Sequence, residues 1–349
     1  MIELIENETR DFKSLKSIKE FLKEQDSRKK EKLVQFSDWE MTEHGLRIRT
    51  KKDKHVTFPM RDSGMKTLLR TFQMPTKFYY SKSPTDMVVR DINRMRDEYS
   101  PDSEFIVYLQ KPEDGGKSEV RAISKPSIKH LTTHEVLLND TPISKNIFNI
   151  ASYSDLGIRI TTSDDSKPIK VEKGDIVNIG MELMYSDVGY FPVSGYPYLN
   201  RLVCTNGMVM REKNPLLNGF SMSYLSKMTE DVFLDTLNHN IGLVEVNAET
   251  LKDTFKIMKD TSISKLPLGE IQMKKIRNAI GVEKFDGHEK LTTKIMDEDE
   301  EKRMINTDLD LYTALDITTR LSKEYDYLHR RRIETLAGSL VLMSADLLR

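Results

Sequence analysis

The chain has 349 residues, 38% hydrophobic and 31% charged, with a net charge of −1. That suits a water-soluble chain with a substantial core, and no run approaches the ~18 apolar residues of a membrane span. Its single cysteine, Cys204, excludes an intramolecular disulfide and suits a reducing cytoplasm, and the alternating charged and apolar N-terminus is not expected to be a secretory leader.

Phe12, Leu15, Ile18, Phe21 and Leu22 recur at helical spacing, so residues 10–36 read as a helical stretch whose pattern the basic run Arg28-Lys29-Lys30 ends. From 45 to 60, Leu46 and Ile48 alternate with Arg47 and Arg49, and Lys51-Lys52-Asp53-Lys54 supplies a turn; a hairpin with one cationic face follows. Ser63 is expected to cap a short helix that stops before Pro75. Ser83-Pro84 opens the next, with Met87, Val88, Ile92 and Met95 on its inner face. Residues 104–124 form a second hairpin across a turn built from Pro and Gly. Residues 127–152 read as helical segments broken at Pro142, and 157–210 as strands. Within them Asn206-Gly207 is a two-residue hairpin signal, which would set Thr205 opposite Met208, Cys204 opposite Val209 and Val203 opposite Met210. From 221 onward amphipathic helices dominate, interrupted by the acidic stretch around 297–301. The expected fold class is α+β: an antiparallel β-rich centre with hairpins, packed by helices, and a helical C-terminal part. The chain divides into an N-terminal helical segment (1–40), a mixed α/β core domain (41–220) and a helical C-terminal region (221–349).

Charge is unevenly spread. Residues 43–96 hold 13 Lys and Arg against 5 Asp and Glu, a net of +8, which leaves −9 for the rest of the chain. Such asymmetry is a hint of a polyanion-binding region. The cations Arg47, Arg49, Lys51, Lys52, Lys54, Arg61, Lys66, Arg70 and Lys77 are interleaved with aromatics that include Phe78, Tyr79 and Tyr80. Single-stranded nucleic acid is held by cations that track phosphates and by rings that stack bases. The alternative is a charged surface over a core that uses the aromatics inside. Arg121, Arg201 and Asn206 are secondary candidates.

Catalytic signals are weaker. Cys204 has no local base, so a small buried hydrophobe is the better reading. His130 and His134 stand four apart, as in some zinc helices, but without an obvious third ligand. Asp297–Glu301 are adjacent rather than convergent, which suits a solvated loop. No catalytic residue, metal ligand or cofactor is assigned, and the chain leans towards a binding protein rather than an enzyme.

Three stretches resemble a phage and plasmid protein family of unknown function. They are EVRAISKPSIKHLTTHEVLL, GMELMYSDVGYFPVSGYPYLNRLVCTNGMVM and DLYTALDITTRLSKEYDYLHRRRIETLAGSL, of which the middle one, with RLVCTNGM, is the specific motif. This sequence departs from the pattern at Tyr185-Ser186-Asp187 and at Lys125-Pro126-Ser127. The resemblance implies a mobile-element protein of the bacterial cytoplasm, and by architecture it is similar to phage single-strand annealing proteins of the Erf and Red-beta type. The leading expectation is single-stranded DNA binding or annealing in phage recombination or replication, by a homo-oligomer with no membrane partner. Two alternatives stay open. One is a module that engages a host defence or transcription protein, for which the 18 methionines would give adaptable surfaces. The other is a metal- or thiol-dependent enzyme.

Overall fold

Local pattern and long-range pairing together build two sheets, each carrying its own helices, in this computed structural model. It describes residues 3–50, 53–81, 83–125, 147–172, 175–201, 206–210, 217–222, 230–280, 309–325 and 327–346. The chain begins with β1 (Leu4–Ile5), β2 (Thr9–Phe12), α1 (Leu15–Arg28) and β3 (Lys29–Gln35). A three-stranded meander follows: β4 (Trp39–Thr42), β5 (Gly45–Arg49) and β6 (His55–Phe58). Then come β7 (Met60–Arg61), α2 (Asp62–Thr71), α3 (Thr76–Ser81), α4 (Thr85–Asp97) and the hairpin β8 (Glu104–Gln110) and β9 (Glu119–Ser124).

The first sheet has the order β1-β7-β9-β8-β3, with β7 parallel to both its neighbours and the other pairs antiparallel. Alternation places Phe105, Val107 and Leu109 of β8 on one face. They pack there with the meander, α2 and α4 through Trp39, Leu46, Ile48, Leu68, Phe72 and Ile92. Trp39 and Phe72 stack at 5.8 Å.

The second sheet is antiparallel. It comprises β10 (Ile147–Ser154), β11 (Gly157–Glu172), β12 (Asp175–Tyr185), β13 (Val193–Arg201), β14 (Asn206–Val209) and β16 (Phe220–Met222), β15 being the short strand Leu217–Asn218. Its order is β14-β13-β12-β11-β10-β2, with β16 also pairing β13. α1 and α5 (Glu230–Gly242) bury Ile18, Leu22, Phe233 and Leu237 against Tyr153, Ile158, Ile160 and Leu183. After β17 (Glu245–Val246), the helices α6 (Ala248–Asp260), α7 (Gly269–Ile280), α8 (Leu311–Leu321) and α9 (Tyr327–Ala345) form a further core with Val177, Leu199 and Met208. The fold is α+β with a helical C-terminal part. Among the described residues no helix is long and apolar enough to cross a membrane.

Four local expectations change. The first helix covers only 15–28, capped by Ser14, whose hydroxyl accepts from the Ser17 amide; the residues on either side of it pair as β2 and β3 because β10 and β8 offer them edges. Ser63 does not cap α2. It sits inside the first turn, donates to the Arg121 carbonyl, and leaves the capping to Asn7, whose Oδ1 accepts from the Ser63 amide at 2.7 Å. Residues 147–154 are strand β10 rather than helix, and 126–146 lie outside the described residues.

The fourth change concerns Asn206-Gly207, which do not form a turn. They begin β14, with Asn206 opposite Arg201 and Gly207 opposite Asn200. Gly207 serves close approach: a Cβ there would overlap the Tyr198 ring. Cys204 lies outside the described residues.

Segment 1–40 serves both sheets, β1 and β3 joining the first and β2 and α1 the second. Between α2 and β9 there is no room for a side chain at Gly64, because a Cβ would overlap the Val120 carbonyl. Gly64→Ala is therefore expected to cost about 1–3 kcal/mol as α2 is pushed off the sheet. Urea denaturation monitored by Trp39, the single tryptophan, measures this.

Candidate anion-binding site

Of the nine cations that made the 43–96 window look like a polyanion surface, Arg47, Arg49, Arg61 and Lys66 are neutralised by carboxylates. Arg47 pairs with Glu40 at 2.8 Å, Arg49 with Asp53 at 2.7 Å and Lys66 with Asp62 at 2.5 Å. Arg61 and Arg121 are not surface residues at all, at 5% and 1% exposure. Arg61 donates to Glu119 at 2.8 Å and to both Asp155 oxygens at 2.9 Å. Arg121 grips Asp187 through two bonds of 2.8 Å and donates from Nε to the Asp155 carbonyl at 2.9 Å. Neither can reach a phosphate, which removes both from the expected interface. Burial works against the charge on Arg121, and the Asp187 and Asp155 carboxylates outweigh it, so its pKa stays above the usual value.

The aromatics divide as well. Tyr79 donates to Asp91 at 3.1 Å and packs on the core, while Phe78 is 46% exposed. Lys54 is exposed without a carboxylate partner among the described residues. Lys51 and Lys52, and the side chains of Lys77, Tyr80, Arg201 and Asn206, lie outside what the structure describes.

Arg70 is different. It lies in the last turn of α2 and is exposed, with no carboxylate in reach among the described residues. Its guanidinium sits 5.0 Å from the centre of the Tyr190 ring and donates to the Tyr190 carbonyl. Beside it is a cavity of about 140 Å³, open on one side, lined by Thr67, Arg70, Thr71, Ile123, Ser124, Lys125, Val188, Gly189 and Tyr190. Two cations line it and no carboxylate does. Lys125, at the end of β9, is exposed and likewise has no carboxylate partner among the described residues.

The buried ion pairs explain why this cavity exists. Asp187 lies in the turn after β12, and Arg121 anchors it from β9. The Ser186 hydroxyl accepts from the Tyr190 amide at 2.8 Å and donates to the Leu156 carbonyl at 2.6 Å, and Gly189 takes a φ of 67° to close the turn. The turn then presents Tyr190 to Arg70. On the other wall, the Thr67 hydroxyl accepts from the Ile123 amide and locks α2 to β9. Three segments far apart in sequence are thus held rigidly around one small volume. The Thr67 and Thr71 hydroxyls on its walls donate to the Ser63 and Ile123 carbonyls, so its two cations are what suits it to an oxyanion such as a phosphate group.

Of the sequence candidates, Arg70 alone lines this cavity; Lys125, Ser124 and Tyr190 were not among them. The available signal was Ser186-Asp187-Val188-Gly189, a polar turn ending in glycine between two strand-like runs. Among the described residues no group of three or more His, Cys, Asp or Glu is placed to hold a metal ion. His130, His134 and the stretch 297–301 lie outside the described residues. No family model matches this chain, and neither a curated protein nor a solved structure matches it.

Proposed function

We propose that the protein binds single-stranded nucleic acid, with the Arg70–Lys125 cavity receiving a backbone phosphate. The observation that carries the reading is the pairing of two cations without a carboxylate partner on one cavity that no carboxylate lines. Tyr190 at its rim and the exposed Phe78 of α3 offer rings for base stacking. The reading is narrower than one built on the whole basic window, because paired arginines such as Arg47 and Arg49 exchange one partner for another when they meet a phosphate. The resemblance to phage and plasmid proteins adds a bacterial cytoplasm and DNA recombination to the proposal. No family model carries that resemblance, so the reading rests on the cavity.

Fluorescence anisotropy of a labelled oligo-dT strand, titrated over a range of salt, tests it. Each phosphate contact to a single strand contributes about 0.7 to the slope of log affinity against log salt. Changing Arg70 and Lys125 together to Ala removes one phosphate contact and is expected to lower that slope by about 0.7 and to weaken binding at least about ten-fold. Absence of binding at about 50 mM salt, or an unchanged slope in the double variant, overturns the proposal.

A further inference from the structure

The walls of the Arg70 cavity limit what can enter it. α2 closes one side through Thr67 and Thr71, and the end of β9 closes a second through Ile123 and Ser124. The turn after β12 closes a third through Val188, Gly189 and Tyr190. The Thr67 hydroxyl tied to the Ile123 amide at 2.9 Å, and Asp187 tied to Arg121, keep these walls from spreading. About 140 Å³ remains between them.

The two cations are placed without being neutralised. The Arg70 guanidinium is oriented by the Tyr190 ring and spends one N–H donor on the Tyr190 carbonyl, and its other donors meet no acceptor among the described residues. Lys125 likewise has no carboxylate partner there. Charge and shape then separate two kinds of strand phosphate. An internal phosphodiester carries a single negative charge, and the chain on both of its sides has to pass the one open side of the cavity. A terminal phosphomonoester carries a charge of about −1.5 to −2 near neutral pH, offers one more unesterified oxygen and leads out a single chain. Two uncompensated cations match the monoester's charge and exceed the diester's.

We propose that the Arg70–Lys125 cavity selects a terminal phosphate over the internal phosphodiesters, so that the protein recognises the phosphorylated end of a strand. The inference rests on the reading of this cavity as a strand's phosphate site and narrows it to one class of phosphate.

Competition against an oligo-dT strand labelled on an internal base tests it. The competitors are unlabelled strands of equal length that end in a 5′-phosphate, in a 3′-phosphate or in hydroxyls at both ends. One phosphorylated strand is expected to compete at least about ten-fold better than the hydroxyl strand, the worth of one added charged hydrogen bond, and which one does so gives the polarity. Arg70, Lys125 and Tyr190 are the ionisable side chains that line the cavity, and no His, Asp or Glu does so among the described residues. The preference should therefore shrink between about pH 7.5 and about pH 5, as the monoester loses its second charge near pH 6. With Arg70 and Lys125 both changed to Ala, the three strands should compete equally; both side chains are exposed, so this variant is expected to fold. Equal competition by all three strands against the unaltered protein overturns the inference and leaves nucleic-acid binding standing. A preference undiminished in the double variant also overturns it, by placing the strand's end elsewhere. Failure of every strand to bind overturns the functional reading and this inference with it.

Discussion

Asp187→Ala is expected to lower the free energy of unfolding by about 3–5 kcal/mol, the usual cost of leaving one member of a buried ion pair alone. Arg121 is 1% exposed, and its two terminal nitrogens both end on Asp187. Without that carboxylate a guanidinium stays desolvated with only the Asp155 backbone carbonyl and the more distant Asp155 carboxylate, at 3.6 Å, to answer it. Replacing both residues, Arg121→Met with Asp187→Leu, removes the charges together and should cost far less than the single change. The turn that carries Tyr190 would lose its anchor in either case. Oligonucleotide binding should therefore fall in both variants, even where stability is recovered. Urea unfolding and anisotropy on the same three proteins separate the two effects. A single variant as stable as the parent would show that the pair holds nothing.

Glu182→Gln should be comparably severe, again about 3–5 kcal/mol, and it acts between the second sheet and the C-terminal helix. Glu182 is fully buried on β12 between Arg159, at 2.6 Å, and Arg331 of α9, at 2.9 Å. Arg159 also pairs with Glu334 of α9, so this cluster pins the C-terminal helix to the sheet. Burial raises the Glu182 pKa, but the two guanidiniums outweigh it and hold the carboxyl below its ordinary value. A carboxyl whose folded pKa is depressed contributes stability above its unfolded pKa, about 4.3, and loses it as pH falls through the folded value. Glu334 runs the other way, raised by burial and by the neighbouring Glu182 charge with Arg159 only partly offsetting them, so removing that charge lessens but does not reverse the cost of the variant at neutral pH. The difference in stability between parent and Glu182→Gln should thus be full at neutral pH and shrink below about pH 4. A difference that stays constant down to low pH would contradict the ion-pair account.

The expected elements and the real ones agree where the determining neighbours are close in sequence. Leu46 and Ile48 face the core and Arg47 and Arg49 face out, as two-residue alternation requires, and α6 and α8 follow their helical spacing. Agreement fails where a distant partner decides. Residues 29–35 have no strand signal that outweighs their lysines, yet β8 offers them seven paired positions. Asn206-Gly207 carries the composition of a turn and is used as a strand, because Tyr198 needs the space above Gly207. The site shows the same divide. A window of charge located Arg70 but could not tell it from Arg61, nine residues earlier in the same basic stretch.

The sequence by itself determined the α+β class, the hairpins around residues 50 and 115, the helical C-terminal part and the uneven spread of charge. These depend on periodicity and composition within a few residues, which the chain states directly. Only the tertiary structure decided which cations meet a carboxylate. Arg61 finds Asp155 across 94 positions, Arg121 finds Asp187 across 66 and Arg159 finds Glu334 across 175. A charge is available to a ligand only after its nearest opposite charge is known, and that distance is a property of the fold, not of the window in which the charge is counted.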